Sequence, residues 1–415
     1  MTQSSAKPTR NLARIDPARV PRVARSLPPR PKACTCLLEH GVTALLLALV
    51  ALSACAAQVK TMPETLRLDD EVAPLRYRDI GRSLAISGDG HHVAYAGQGG
   101  IALVDRESQR MEWLALPDSS PGNVSGLSIS QDGRFLAFVA KGIPPAVYLY
   151  DRQRQDLSPI DLSPDGRALI SGVYIFWTSM SADGALAAFS AALPAEETPV
   201  GSDPTMPQLY LHDRLAGTTE HYRWPEAPFA ACCPEVSGDG HYVGFLGSTK
   251  TGDDSYLFDR QANQLQRLDF PEWSEGPVLL SRQAEVIARP LYHATDGGFI
   301  VKNAANQDFT LCGGSELGLA KGEGSISADG ARLVFAAPPA VPEAAPTQIW
   351  GCDTRTGALH LLSAGVDGAP GNGPSYEPAL SDDGRWLVFL SAATNLGETA
   401  QDGREWGVYV RELAW

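Results

Sequence analysis

Apolar and polar residues alternate in short segments along the chain after Lys60, and one four-residue phrase recurs between these segments. The phrase is Ser-x-Asp-Gly, and an alternating apolar segment follows it, as in SGDGHHVAYAG from Ser87 and SDDGRWLVFLS from Ser381. Alternation with a period of two residues is typical of strands with one buried face, and Asp-Gly between two such segments is typical of a tight hairpin turn. Each phrase therefore predicts a β-hairpin.

The hairpin phrase occurs six times, and its turn residues are expected to be structural. Glycine adopts the positive φ that a tight turn requires, and the Ser and Asp side chains can bond nearby amides. The predicted turn residues are Asp89, Gly90, Asp132, Gly133, Asp183, Gly184, Asp239, Gly240, Asp329, Gly330, Asp383 and Gly384. The long interval between Ser237 and Ser327 leaves room for one more copy, and LLSRQAEVIAR around Ser281 fits that place without its Asp-Gly.

A second phrase follows each hairpin and predicts two further strands. Examples are YLYDRQR at Asp151 and YLFDRQA at Asp259, each an apolar strand that leads into a polar turn and another short strand. Four antiparallel strands in roughly 50 residues form one blade of a β-propeller. The predicted fold class is therefore all-β, a single β-propeller domain over residues 64–415. Seven blades are favoured, and the atypical unit around Ser281 leaves six as the alternative.

The two ends of this region predict how the ring closes. The final unit stops at its third strand, Gly407 to Leu413, whereas Thr65 to Asp69 resembles a fourth strand that has no blade of its own. Pairing of the N-terminal strand with the C-terminal strands would complete the last blade. Such pairing would also remove the open sheet edges that invite aggregation.

The phrases resemble the WD-like repeat of TolB-type β-propellers over nearly all of the chain after Lys60. The last unit carries the resemblance most fully, because GVDGAPGNGPSYEPALSDDGRWLVFLSAATNL contains a Gly- and Asn-rich crossing, a proline and then the hairpin phrase. The resemblance implies four-stranded blades joined by crossings. The unit around Ser281 departs from the pattern, since it lacks Asp-Gly and its third strand near Phe299 diverges.

Composition and charge support a folded β protein and argue against nucleic-acid binding. The chain contains 40 Gly and 31 Pro in 415 residues, which disfavours long helices. Its formal net charge is −14; residues 1–54 hold eight Lys or Arg against two acids, so the remainder carries 26 basic and 46 acidic residues. The remainder is strongly acidic and should repel nucleic acid and anionic lipid.

The first 54 residues resemble a bacterial lipoprotein export signal. A basic, proline-rich stretch precedes the apolar run GVTALLLALVALSAC, which is too short for a spanning helix. Leu52-Ser53-Ala54-Cys55 resembles the lipobox, whose cysteine is diacylated after cleavage. The expected organisation is an export signal at 1–54, a tether at 55–63 and lipidation of Cys55, with an ordinary secretory signal as the alternative. Ala56 points to the outer membrane by resemblance to enterobacterial sorting.

Four cysteines remain in the mature chain, and their spacing leaves their chemistry open. They are Cys232, Cys233, Cys312 and Cys352, which allow three complete disulfide pairings in an oxidising periplasm. An adjacent pair bonds internally only with a strained peptide geometry. A zinc site is not supported, because no CxxC or HxxxH spacing is present.

Candidate functional residues come from aligning the units on the hairpin serine. The residue four positions before it should enter the innermost strand beside the channel, and it varies between units: Ser83, Gly126, Trp177, Cys233, Glu323 and Glu377. A core role would predict one residue class. Phe176, Trp177, Tyr376 and Glu377 are therefore the candidate partner-binding residues, with a channel plug formed by Phe176 and Trp177 as the alternative.

The resulting hypothesis is a non-enzymatic, lipid-anchored protein of the cell envelope whose propeller binds a protein or peptide. Three units have long Pro-rich connections between their second and third strands, which are expected on the same face of the propeller. Loops on a rigid scaffold commonly carry binding function, so this face is the expected binding face. No catalytic residue or metal site is predicted, although Glu323 and Glu377 could contribute to a structural calcium site. The alternative is a periplasmic enzyme, or a glycan- or metal-binding propeller, with its site at the channel mouth.

Substitution of Cys55 tests the anchor. We expect Cys55→Ser to release the protein from the membrane fraction or to leave it unprocessed, because two acyl chains on one cysteine give stable attachment. The measurement is fractionation together with labelling by a fatty acid. A wild-type protein that is fully soluble and carries no label would contradict lipidation.

Overall fold

The computed structural model describes residues 65–68, 82–97, 99–116, 124–141, 145–163, 166–167, 169–170, 177–192, 206–224, 230–249, 252–272, 274, 276–291, 296–318, 323–340, 345–397 and 406–415. The chain divides into the units Met1–Lys60 and Thr61–Trp415, and every described residue belongs to the second. The predicted export signal, Cys55 and Phe176 lie outside the described residues. Within these ranges no helix is long and apolar enough to cross a membrane.

The described strands form seven four-stranded antiparallel sheets, which are the blades of a β-propeller. Blade 1 contains β2 (Leu84–Ile86), β3 (His92–Gly97), β4 (Gly100–Asp105) and β5 (Met111–Ala115), and blade 2 contains β6 (Val124–Ile129), β7 (Phe135–Ala140), β8 (Ala146–Asp151) and β9 (Asp156–Pro159). Blade 3 contains β10 (Thr178–Met180), β11 (Leu186–Ala192), β12 (Pro207–Asp213) and β13 (Thr218–Tyr222), and blade 4 contains β14 (Ala230–Val236), β15 (Tyr242–Thr249), β16 (Gly252–Asp259) and β17 (Gln264–Arg267). Blade 5 contains β18 (Leu279–Leu280), β19 (Val286–Pro290), β20 (Gly297–Asn303) and β21 (Phe309–Gly314), and blade 6 contains β22 (Gly324–Ile326), β23 (Arg332–Ala337), β24 (Gln348–Asp353) and β25 (Leu359–Leu361). Blade 7 contains β26 (Ser375–Leu380), β27 (Trp386–Ser391), β28 (Gly407–Glu412) and β1 (Thr65–Arg67). The predicted all-β fold with seven blades is confirmed.

Six of the seven described hairpin turns are held by a serine whose hydroxyl donates to the aspartate two residues later. In blade 2 the Ser130 hydroxyl donates to Asp132 at 2.7 Å and accepts the Phe135 amide at 2.9 Å, and Gly133 has a φ of 69°. Blade 5 forms the same turn without Asp-Gly, because Ala284 takes a φ of 55° in place of glycine and Ser281 still accepts the Val286 amide. The turn therefore tolerates the loss of the phrase that identifies it in sequence.

A belt of backbone hydrogen bonds joins the seven hairpin turns. In each blade, an amide one or two residues after the hairpin serine donates to the next blade. The acceptor is the carbonyl of the residue directly after that blade's own hairpin serine, and the last blade donates to the first in the same way. The seven bonds, from 2.7 to 3.0 Å, are Asp89 to Gln131, Gln131 to Ala182, Ala182 to Gly238, Asp239 to Arg282, Arg282 to Ala328, Ala328 to Asp382 and Asp382 to Gly88. One end of the ring is thus closed around the axis by main-chain atoms.

The hydrophobic core lies between the blades. Seven clusters of buried side chains occur in the described residues, one at each junction between neighbouring blades. At the junction of blades 5 and 6, Phe299 and Phe335 are fully buried with ring centroids 5.3 Å apart. Burial of one such side chain is worth roughly 1.5–3 kcal/mol, so the blades depend on one another for most of their stability.

The ring closes as expected, by pairing of the N-terminal strand β1 with β28 in blade 7. The register places Thr65 opposite Arg411. The Arg411 guanidinium is almost fully buried; it donates to the Thr65 hydroxyl and to the carbonyls of Leu362 and Ala364 in the crossing from blade 6. Burial lowers the pKa of Arg411 to about 10. This side chain therefore ties β1 and β28 to the neighbouring blade.

Two disulfides are present in the described residues. Cys312 in β21 is bonded to Cys352 in β24, with Cα atoms 5.8 Å apart, and links blades 5 and 6 through their core. Cys232 and Cys233, which are adjacent in β14, are bonded to each other. The first bond closes a long segment of chain, whereas the second closes almost none.

The buried Arg411 predicts the effect of removing one hydroxyl group. Thr65→Val preserves shape but leaves the guanidinium without one acceptor, so we expect a loss of about 1–3 kcal/mol in the free energy of unfolding. Denaturant titration measures it. Thr310→Val, in the fourth strand of blade 5, is the matched control and should change stability by less than about 0.5 kcal/mol. Equal effects of the two substitutions would contradict the role of Arg411.

The two disulfides predict different contributions to stability. Replacing Cys312 and Cys352 by alanine should cost about 2–4 kcal/mol, because the bond restricts an unfolded loop of about 40 residues. The same replacement of Cys232 and Cys233 should cost much less, because adjacent residues enclose no comparable loop. Thermal melting of both double variants under oxidising conditions compares them directly, and a larger loss from the adjacent pair would overturn this prediction.

Candidate functional site

The described residues enclose a cavity of about 220 Å³ in the central channel. At the hairpin end Arg282 reaches across the axis and donates to Gln131 at 2.9 Å and to Asp382 at 2.6 Å. These three residues come from blades 5, 2 and 7 and narrow the channel inside the backbone belt. The opposite end, where the innermost strands begin, is here called the mouth.

Among the described residues, five polar or aromatic side chains from five blades line the mouth. They are Arg82, Trp177, Glu235, Glu323 and Glu377, which we call the mouth cluster. The Arg82 guanidinium donates to Glu235 at 2.9 Å and lies 4.0 Å from the centroid of the Trp177 ring. The Trp177 ring and the Glu235 carboxylate therefore both contact the positively charged Arg82 side chain of the same protein.

Glu377 is the most buried acid of the mouth cluster, with 6% of its surface exposed. Its Oε2 accepts the amide and the hydroxyl of Ser83, at 2.6 and 2.7 Å. Its own amide donates to Glu323 Oε2 at 3.0 Å. Its Oε1 is buried and has no hydrogen-bond partner. Glu377 therefore joins blade 7 to blade 1 through one oxygen and presents the other without a partner in the channel lining.

The environment of Glu377 favours its protonated form. Burial raises the pKa of this carboxyl to about 8, and the neighbouring Glu323 contributes in the same direction. The hydrogen bonds from Ser83 and the charge of Arg82 lower it, but they do not compensate for the loss of water. Glu377 is consequently mostly neutral at pH 7, and it gains a charge only as the pH rises through its pKa.

Backbone bulges determine which side chains reach the mouth. The innermost strands of blades 2, 4 and 7 are bulged at one place, where Gly126, Cys233 and Glu377 have φ angles of 59°, 58° and 51°. Non-glycine residues rarely adopt these angles, and such conformations concentrate at functional sites. The bulge in blade 4 places Glu235, two residues after Cys233, at the channel, so only Pro234 separates the cysteine pair from this acid in the chain.

The predicted partner-binding residues are only partly brought together. Trp177 and Glu377 line the channel, whereas Tyr376 packs half-buried against Trp406, with ring centroids 5.9 Å apart, and is absent from the lining. Phe176 lies outside the described residues. Sequence reasoning missed Arg82 and Glu235. The candidates were taken four residues before each hairpin serine, which assumes that the same position faces the channel in every blade, whereas Arg82 lies five residues before its serine and Glu235 lies two before. The polar residues of CCPEVS within an inner strand were the available signal.

The channel offers few ligands for a metal ion. Among the residues that the structure describes, no group of three or more His, Cys, Asp or Glu side chains could hold one. Glu323 and Glu377 are adjacent, as the calcium hypothesis requires, but calcium usually takes six to eight oxygen ligands. The mouth cluster also contains no histidine or cysteine.

No protein-family model matches the sequence, and no curated protein matches it significantly. Solved structures do match. An oligogalacturonate lyase from Vibrio parahaemolyticus is 14% identical with a TM-score of 0.58, over 86% of this chain and 95% of the lyase. A chain of a mitotic checkpoint complex is 15% identical with a TM-score of 0.52, over 94% of this chain and 99% of that one. TolB from Acinetobacter baumannii is 13% identical with a TM-score of 0.38, over 79% of this chain and 62% of TolB. At such identities the similarity extends to the fold, and this chain has the fold of a seven-bladed β-propeller.

Proposed function

We propose that this protein is a non-enzymatic lipoprotein of the cell envelope, placed at the outer membrane by Cys55, and that it binds another protein or a peptide at the channel mouth. The observation that carries the binding role is the pair of buried polar atoms at the mouth with no partner, Glu377 Oε1 and Trp177 Nε1. A buried polar atom without a hydrogen bond costs about 1–3 kcal/mol. A ligand that supplies the missing partners would recover that free energy.

The length of the chain between the second and third strands of three blades favours a macromolecular ligand. Strands 2 and 3 of a blade are joined on the same side as the mouth, since the hairpin between strands 1 and 2 lies at the other end. The longest of these connections are residues 193–206, 338–347 and 392–406, in blades 3, 6 and 7. The same blades supply Trp177, Glu323 and Glu377. A partner that contacted the mouth-side ends of the second and third strands in these blades would lie beside the channel.

The chemistry at the mouth supports binding better than catalysis. Arg82 and Glu235 are engaged with each other, and Glu377 is hydrogen-bonded to Ser83, so the arrangement resembles a recognition pocket with fixed side chains. General acid–base catalysis by a mostly neutral Glu377 would need a second group to activate a reactant. The similarity to the lyase is a similarity of fold at 14% identity and adds no residue to such a mechanism.

Replacing Trp177 tests the binding role of the mouth. We expect Trp177→Ala to reduce crosslinked partner recovered from intact cells by at least tenfold, because buried tryptophans often dominate interface energies. Loss of the contact with Arg82 should lower the melting temperature only slightly, since such contacts contribute about 1 kcal/mol.

Trp113→Ala is the matched control. Trp113 lies in the outermost strand of blade 1 and is 39% exposed, away from the channel lining. Its replacement should leave capture unchanged. If Trp113→Ala abolished capture and Trp177→Ala did not, the partner would bind the outer rim and the proposed function would be wrong as stated.

A further inference from the structure

We propose that the Cys232–Cys233 disulfide is a redox modification site that controls the shape of the mouth. A dithiol reduces it, and the Arg82 side chain then leaves its position over Trp177. The inference goes beyond the proposed function, because it concerns how the mouth cluster is assembled and not what occupies it. It depends on the bulge that contains Cys233, on the ion pair of Glu235 and on the exposure of the two cysteines.

The three bulged inner strands hold a positive φ in three different ways. In blade 2 the residue is Gly126, which adopts this conformation without a side-chain clash. In blade 7 it is Glu377, whose carboxyl accepts two hydrogen bonds from Ser83. In blade 4 it is Cys233, which is covalently bonded to Cys232. The disulfide therefore stabilises in blade 4 a conformation that glycine or hydrogen bonds stabilise in the other two.

The bond between adjacent cysteines restricts the backbone at the bulge. The small ring that it closes contains the peptide bond between Cys232 and Cys233, so ψ of the first residue and φ of the second cannot rotate freely. Once the sulfurs separate, Cys233 regains this rotation. A residue other than glycine then favours a negative φ over the 58° of the bonded form. Reduction therefore favours a different path of the chain at the bulge.

The bulge determines how Glu235 faces the channel. Strand β14 has two residues between its pairs with Leu246 and Gly244, where β15 has one. Successive side chains of a strand point to opposite faces, so the extra residue sets the face on which Glu235 lies. A change of φ at Cys233, which is one of these two residues, would turn the Glu235 carboxylate away from its present direction.

The position of the Arg82 side chain depends on the Glu235 carboxylate. The two form an ion pair at 2.9 Å, with 23% and 17% of their side chains exposed. Charges with so little access to water need a partner in good geometry. The same guanidinium lies 4.0 Å from the centroid of the Trp177 ring. If Glu235 turns away, Arg82 loses this counter-charge and moves toward solvent, which uncovers the ring.

The adjacent pair is the more accessible of the two described disulfides. Cys232 and Cys233 are partly exposed, whereas Cys312 and Cys352 are fully buried. One thiolate of a dithiol attacks a sulfur of the exposed pair, which forms a mixed disulfide and releases the other sulfur as a thiolate. The second thiol of the reagent displaces the remaining sulfur, and the reagent leaves as a cyclic disulfide. Two electrons and two protons thus pass to the protein, which gains two thiols.

Exchange with dithiothreitol tests the modification site on the purified, folded protein. We expect brief treatment, followed by alkylation and peptide mapping, to label Cys232 and Cys233 before Cys312 and Cys352, because exposure governs the reaction. Melting curves verify that the treated protein remains folded. Labelling of the buried pair first, or of neither pair in the folded protein, would overturn the proposal.

Nuclear magnetic resonance then reports the position of Arg82. Its side-chain protons lie over an aromatic ring, so their resonances are displaced upfield, and Arg82→Lys identifies them by their loss. We expect reduction of the adjacent cysteines to remove this displacement. Unchanged Arg82 resonances in protein whose Cys232–Cys233 bond has been opened would show that the disulfide does not control the mouth.

Two double variants separate the backbone effect from the sulfur chemistry. Cys232→Ala with Cys233→Ala should lose the displaced Arg82 resonances without any reductant, because alanine disfavours the positive φ. Cys232→Ala with Cys233→Gly should keep them, with or without dithiothreitol, because glycine adopts this φ as Gly126 does in blade 2. The same result in both variants, whether loss or retention, would contradict the proposed role of the bulge.

Replacement of Cys312 and Cys352 by alanine is the matched control. It removes the other disulfide and should leave the Arg82 resonances displaced, although the protein becomes less stable. Loss of the displacement in this variant as well would mean that any loss of stability moves Arg82, which would overturn the proposal.

Partner capture distinguishes the redox site from the proposed function. Loss of both the Arg82 position and partner capture in the double alanine variant of Cys232 and Cys233 supports both. Loss of the Arg82 position with normal capture supports the redox site and contradicts docking at the mouth. Retention of the Arg82 position overturns the redox site whatever the capture result, and Trp177→Ala still tests the proposed function.

Discussion

The ring of main-chain hydrogen bonds at the hairpin end is the constraint on which the rest of the molecule depends. Each bond joins one blade to the next, and together they fix the distance of every innermost strand from the axis. The apolar clusters between blades can then pack at all seven junctions. Because the bonds use amides and carbonyls, the residue at the joining position is free to vary. Gly88, Ala182 and Arg282 occupy equivalent places, and only the last narrows the channel.

The sequence was sufficient for the fold because the hairpin turn is encoded locally. Serine, aspartate and glycine act within one turn, and the alternating segments beside them define which face is buried. Pairing of β1 with β28 could be anticipated because a strand was missing at one end and present at the other, whereas its register, with Thr65 opposite Arg411, could not. The belt could not be anticipated, since backbone bonds leave no signature in side-chain identity.

The mouth was predictable only in part, for a geometric reason. Trp177 and Glu377 were found by position in the repeat. The role of Arg82 in blade 1 depends on a bulge in blade 4, three blades further along the chain, which brings Glu235 to the same mouth. The burial of Glu377 depends on Ser83, which is 294 residues away in the chain. Contacts of this range arise from closure of the ring, so a repeat alignment that treats each blade separately does not contain them.

Closure by β1 and β28 also bears on the kinetics of folding. The strand that contains Thr65 emerges first from the ribosome and must wait for Arg411, 346 residues later, before it has a partner. Bringing such distant segments together is entropically slow, and proteins dominated by long-range pairing fold slowly. Because β1 pairs with β28 late in folding, we expect this pair to be among the first to separate during unfolding. The lifetime of the native ring, rather than its equilibrium stability alone, would then depend on how tightly one buried arginine holds a three-residue strand.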